Sequence, residues 1–192
     1  MFKRLLILTS VFALGACEHL QGAPATPSPE TVATKAGPAD GVIPSMINAR
    51  ANIIGASGRQ IGTANLIGGP NGILMRIELG AVSLTPGWHG LHMHQVGDCS
   101  DLGVFKKSGG HVGKVEGGHG LLNQLGPEGG DIPNIFAHRD GSAGYEAFTS
   151  LTTMADLVDA DGAAIIIHAN ADDHLTQPIG GAGGRVACGI IK

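Results

Sequence analysis

His92-Met93-His94 places two imidazoles two residues apart. On a strand successive side chains alternate faces, so both rings point the same way and can meet one ion. Neutral imidazole suits copper or zinc. His111 and His119 follow in a Gly-rich stretch, and Asp131 comes after them. A carboxylate oxygen binds zinc at about the same length as an imidazole nitrogen. His168 lies in residues 163–169, AAIIIHA, whose apolar neighbours imply burial. An imidazole there needs a hydrogen bond or a metal. Singly these are ordinary: H-x-H is a weak signal, and His168 alone reads as a hydrogen-bonded core histidine. Together they carry more weight, because eight of the nine histidines fall between His89 and His174.

The elements that must position these residues read as strands. The chain has 192 residues, 32 of them Gly and 10 Pro, with one Trp, one Tyr and five Phe. That suits one domain with appendages and excludes a long-helix or coiled-coil protein; no three-residue Gly period suggests collagen. The net charge is −4, with 15% charged residues and no basic patch, which excludes a nucleic-acid partner. From Met46 onward the period is two: Ile47, Ala49, Ala51 and Ile53 alternate with Asn48, Arg50 and Asn52. Residues 61–67, 73–79, 88–95, 163–169 and 185–191 are further strands. Residues 97–133 are Gly-rich, charged and aperiodic, and so long a loop in a compact domain is usually functional. Residues 156–161 and 172–184 also read as loops.

The N-terminus is an address. Lys3 and Arg4 precede an apolar run, residues 5–14, too short to span a bilayer as a mature helix. It ends on small residues, as a secretory signal does. Leu14-Gly15-Ala16-Cys17 resembles the lipobox of bacterial lipoproteins, which implies a signal peptide over 1–16 and acylation of Cys17. Residues 17–45, rich in Pro, Ala, Thr and Ser, read as a lipidated Cys and a disordered linker before a domain over 46–192. Acyl chains would tether the domain to a bacterial membrane in the periplasm, and Glu18 weakly favours the outer one. Without Lys3 and Arg4 the charge becomes about −6.

The run from Gly87 to His94, with Gly97-Asp98-Cys99, resembles the signature of copper,zinc superoxide dismutases. Ser108-Gly109-Gly110-His111 and His119-Gly120-Leu121 match the family's bridging and zinc-binding loop. His168 to Asp173, with Gly183-Gly184-Arg185-Val186-Ala187-Cys188-Gly189, matches its electrostatic loop and closing strand. The likeness covers about residues 46–192 and is nearest the bacterial secreted branch. It implies an all-β fold, an eight-stranded Greek-key β-barrel with long metal-binding and electrostatic loops. It implies copper on His92, His94, His111 and His168, and zinc on His111, His119, the residue at 128 and Asp131, with His111 bridging the two. Asp172 would accept hydrogen bonds from the far nitrogens of His92 and His119, fixing their orientation. Arg185 would bind superoxide by charge and hydrogen bonds. Cys99 and Cys188 would pair, in a compartment where disulfides persist. The family contains monomers and dimers, so a homodimer is compatible with the resemblance.

One position departs from the pattern. Gly126-Pro127-Glu128-Gly129-Gly130-Asp131 has Glu128 where the family carries its third zinc histidine. A set of two His, one Glu and one Asp can bind zinc; the other reading has Glu128 facing solvent and the zinc site incomplete. His138, His174 and His19 read as solvated, and His89 as a hydrogen-bonding scaffold residue. Lys106, Lys107 and Lys114 could add local positive charge. The expected function is a lipid-anchored superoxide dismutase using copper and zinc. The alternative is a non-catalytic periplasmic copper-binding or copper-buffering lipoprotein, for which Glu128 is the only sequence support.

Overall fold

The computed structural model describes residues 46–192. The expected signal peptide over 1–16, Cys17, His19 and the expected linker to residue 45 lie outside the described residues.

Eight antiparallel strands curl into a nearly closed barrel. They are β1 (Ile47–Gly55), β2 (Gln60–Gly69), β3 (Gly72–Leu79), β4 (Gly87–His94), β5 (Asp131–Ala137), β6 (Ala143–Thr149), β7 (Ala163–His168) and β8 (Arg185–Ile191). The order around the sheet is β5-β4-β7-β8-β1-β2-β3-β6, with β5 and β6 facing each other across the seam. Strands β1 to β3 form a meander, while β3 pairs with β6 and β4 with β7, the crossings of a Greek key. Among the described residues the only α-helix is one turn, α1 (Met154–Leu157), and no helix is long and apolar enough to cross a membrane.

Period two builds the walls. In β3, Ile73, Met75, Ile77 and Leu79 face the core, while Leu74, Arg76 and Glu78 are exposed. In β4, Leu91 and Met93 join that core. Strand β7 is apolar on both faces, and the structure supplies the reason. Ala163, Ile165 and Ile167 fill the barrel, whereas Ala164 and Ile166 form a second cluster with Phe105, Cys99 and Cys188. That cluster lies on the outer face of the sheet, roofed by the long loop.

Strands β5 and β6 are additions to the sequence reading. The aperiodic loop therefore ends before Asp131, which opens β5, and not at residue 133. The segment read as a loop over 156–161 begins inside α1, whose Thr153 and Asp156 form a capping box.

Candidate metal centre

With Leu91 and Met93 turned inward, His92 and His94 stand on the outer face of β4. The loop over 95–130 folds back along that face. His111 bridges to His94, and Val112 N donates to Met93 O at 2.9 Å. His92 is opposite Ile166 on β7, so His168, two residues on, faces the same way. Gly90 makes room for the other loop: its amide donates to Asn170 O at 2.8 Å, and a Cβ there would lie 2.8 Å from that of Ala182.

Four imidazoles converge in this pocket, none more than 4% exposed. Each has one nitrogen engaged. His92 Nε2 is 2.8 Å from Asp172 Oδ2, His94 Nδ1 is 2.9 Å from Gly109 O, and His168 Nδ1 is 3.0 Å from Gly183 O. His111 Nδ1 is 2.6 Å from Glu128 Oε2. The other nitrogens, His92 Nδ1, His94 Nε2, His111 Nε2 and His168 Nε2, are buried and have no hydrogen-bond partner. Buried polar atoms are costly to leave unsatisfied. A nitrogen that donates to a carbonyl or carboxylate leaves a lone pair on its opposite number. Donor atoms of His92, His94 and His168 lie within 4.8 Å of one another, and the His111 ring adjoins those of His92 and His94 with centres 4.3 and 5.0 Å away. Imidazole lone pairs so gathered fit a soft or borderline cation such as copper. Burial pushes His92 down to about 4, His168 down to about 3 and His94 well below its ordinary value. These three rings are thus neutral donors at neutral pH.

A second group adjoins the first through His111. His119 Nδ1 lies 2.9 Å from Asp131 Oδ1, and His111 Nδ1 lies 3.4 Å from the same oxygen. Glu128 is 3% exposed, so it does not face solvent. Each carboxylate has one oxygen tied down and one directed at the histidines. Asp131 Oδ2 accepts the amides of Gly120 and Glu128 at 2.8 and 2.9 Å, and Glu128 Oε1 accepts that of Val115 at 3.1 Å. Donor atoms of His111, His119 and Asp131 lie with one of His92 within 4.8 Å of one another, whereas the Glu128 side chain stands outside that group and meets it through His111. Two imidazoles and one or two single carboxylate oxygens are a donor set that suits zinc. Burial opposes charge on His119, but the carboxylates of Asp131 and Asp172 outweigh it and push the ring up to about 10. Burial likewise opposes charge on Asp131, yet the rings of His111 and His119 and two amides hold it well below the usual carboxylate range.

Asp172 joins the two groups. Its Oδ2 meets His92 Nε2, and its Oδ1 is 3.2 Å from His119 Nε2. Asn134 fixes it from below: Nδ2 donates to Asp172 O at 2.8 Å, and Oδ1 accepts the Asp172 amide at 2.9 Å. His174 is a correction to the sequence reading. It is not solvated but only 20% exposed at its side chain, with Nδ1 3.6 Å from Asp172 Oδ2 and Nε2 3.3 Å from Asn134 Nδ2. His138 is exposed. His89 is buried between the carbonyls of His168 and Thr85, at 2.7 and 2.8 Å, in the scaffold role the sequence suggested.

Arg185 reaches the outer face through a β-bulge. By parity it would point inward with Ala187 and Ile191. The β7–β8 register breaks after Ile167, so Val186 is the extra residue and Arg185 pairs with His168. Bulges re-aim side chains in this manner. The Arg185 guanidinium donates to Phe105 O, Ser108 Oγ and Gly109 O at 2.6, 3.0 and 2.8 Å. Cys99 and Cys188 form a disulfide across 89 residues, with Cα atoms 5.9 Å apart, linking the start of the loop to β8. Lys106, Lys107 and Lys114 are exposed on the loop. Sequence reasoning gave no role to Ser108, Asn134 or His174. Ser108 opens one of the matched motifs and His174 follows another, but only the folded loops show what they touch.

A barrel with two adjoining ligand groups on its outside, joined by one histidine and one aspartate, is the architecture of a two-metal protein. Residues 61–191 match the family model described as copper/zinc superoxide dismutase, and the chain belongs to that family. It is 45% identical over 152 residues to a Cu-Zn superoxide dismutase of Caulobacter vibrioides, covering 76% of this chain and 86% of the relative. Among solved structures it is similar to a SOD-like protein from Bacillus subtilis, with 31% identity and a TM-score of 0.64, covering 73% of this chain and 96% of the other. The Cu/Zn superoxide dismutase from Brucella abortus, 23% identical with a TM-score of 0.64, shares the fold over 76% of this chain and 100% of its own. Copper and zinc are the cofactors of this family.

Proposed function

We propose that this superoxide dismutase holds copper on His92 Nδ1, His94 Nε2, His111 Nε2 and His168 Nε2, and zinc on His111, His119, Glu128 and Asp131. Of the five buried side-chain nitrogens without a hydrogen-bond partner among the described residues, four belong to the converging rings and carry the copper assignment; the fifth, His174 Nδ1, lies 3.6 Å from Asp172 Oδ2. Copper held there supplies a one-electron couple, which dismutation requires because one superoxide is oxidised to O₂ while another, with two protons, is reduced to H₂O₂.

The residues around it do the rest. His94, His111 and His168 are each fixed by their second nitrogen, so the donors are preorganised. Asp172 orients His92 and His119 in the same way. Arg185 is the anion-binding group: the residue is part-buried and lies opposite His168 in the β7–β8 register. It is a local cation in an acidic chain, and Lys106, Lys107 and Lys114 add to the attraction. His111 would hold a proton bound for the product on Nε2 whenever that nitrogen is not a metal donor. Glu128 takes the place of an imidazole in the zinc set, and the tie from its Oε1 to Val115 favours binding through one oxygen.

The same proposal includes export, acylation at Cys17 and a periplasmic, membrane-anchored position, with the linker spacing the domain from the lipid. Mass analysis of the N-terminal peptide tests this, since Cys17→Ser would leave an unacylated protein.

Metal content and superoxide removal by the purified full chain test the central reading. The expected result is copper and zinc in equal amounts, with dismutation lost in Arg185→Ala by about tenfold or more. Full copper loading with negligible superoxide removal would overturn it and favour copper buffering.

A further inference from the structure

Arginine carries five N–H donors. In Arg185 three are committed: Nη1 donates to Phe105 O and Ser108 Oγ, and Nη2 to Gly109 O. Two of these acceptors are backbone carbonyls. Ser108 Oγ is the one side-chain acceptor of Arg185 among the described residues.

Ser108 is fixed at both ends. It is fully buried and closes the single 3-10 turn Lys106–Ser108. Its carbonyl accepts the Val96 amide at 3.1 Å, which straps the turn to the chain just beyond β4. Its own hydroxyl proton goes to Phe105 O at 2.8 Å, so the oxygen presents a lone pair to Arg185. Phe105, which precedes the turn at φ 50, is fully buried in the cluster with the disulfide. A small polar side chain is thus fully buried, with its proton on Phe105 O and its oxygen's lone pair turned to Nη1.

We propose that Ser108 is a positioning residue for the dismutation reaction. Its hold on Nη1 completes the grip that Phe105 O and Gly109 O begin, so that the guanidinium does not turn, and the hydrogens on Nε and one on Nη2 are left for the anionic substrate. The inference rests on the reading of Arg185 as the anion-binding group.

Two measurements on the full, copper- and zinc-loaded chain test it. The first is a titration with azide, a small monoanion, followed by the copper visible band. Ser108→Ala removes one atom, adds no volume and leaves Phe105 O its bond to Arg185. It is expected to bind azide about fivefold more weakly at unchanged metal content. Arg185→Ala is expected to weaken azide at least as much. The second is the nitrogen NMR of the Arg185 guanidinium in the diamagnetic Cu(I) form. Wild type should show separate, slowly exchanging Nη1 and Nη2 signals, and Ser108→Ala averaged ones. If Arg185→Ala leaves azide affinity unchanged, the reading of Arg185 fails and this inference with it. If Arg185→Ala weakens azide while metal-loaded Ser108→Ala does not, the Ser108 inference alone is overturned. Averaged Nη signals in wild type overturn it without recourse to any variant.

Discussion

Glu128 and His111 meet inside the protein, with a carboxylate oxygen 2.6 Å from Nδ1 and the other oxygen held by the amide of Val115. Glu128→Gln keeps the shape and removes the charge. It should lower zinc affinity about 10- to 100-fold in chelator competition, with copper content less affected. In Glu128→His a softer nitrogen replaces an oxygen, so added Cu(II) should enter the second group more readily. Unchanged zinc affinity in Glu128→Gln would remove Glu128 from the ligand set.

Asp172→Asn tests the hub between the two groups. The carboxylate accepts from both His92 and His119, and an amide can accept through one oxygen only. Zinc affinity should fall about tenfold or more, and the copper EPR spectrum should change as His92 loses its orienting partner. A variant with wild-type zinc affinity and spectrum would make Asp172 a bystander.

Gly180 gives an independent route to the same carboxylate. It sits at φ 59, and a Cβ there would overlap Asp172 Oδ1. Gly180→Ala should therefore copy the metal losses of Asp172→Asn and add about 1 kcal/mol of backbone cost, read as a lower urea midpoint. Retention of zinc by Gly180→Ala would contradict the tight approach.

The metal-free protein should be most stable near pH 6.5. His92 and His168 sit at about 4 and about 3 because burial disfavours their charge. Below 6.5 the unfolded chain binds protons that the folded one refuses, so stability falls as pH drops. Asp131 and Asp172, both depressed, deepen that loss as pH falls below about 3.8. His119, raised to about 10 despite burial, has the opposite sign: its contribution is complete below 6.5 and is lost as pH rises toward 10. Urea midpoints of the metal-free protein from pH 4 to 10 check both slopes, and a midpoint that climbs steadily above pH 7 would refute the second.

The first four strands, β7 and β8 were legible because alternation or a continuous apolar run marks them. Two were hidden for physical reasons. Strand β5 opens on Asp131, whose side chain belongs to the metal group, and contains Pro133, which lacks an amide. Strand β6 inverts the usual signal, with Ala143 and Ala147 turned inward and Phe148 exposed. The ligand histidines stood out through spacing and motif. The inward turn of Glu128 did not, because only the fold decides whether a carboxylate in a loop meets imidazoles or water. The aim of Arg185 was equally hidden: parity sends it into the core, and a single inserted residue, Val186, sends it out.

His111 and Asp172 each touch both candidate groups, so with both metals bound as proposed the coupling between the two affinities would be one shared thermodynamic quantity. Whatever factor zinc adds to copper affinity by ordering those side chains, copper must add to zinc affinity. Loading can then proceed in either order to the same end state. A substitution that weakens only one group, as at Glu128, shows its reach by the amount of that shared factor it erases at the other.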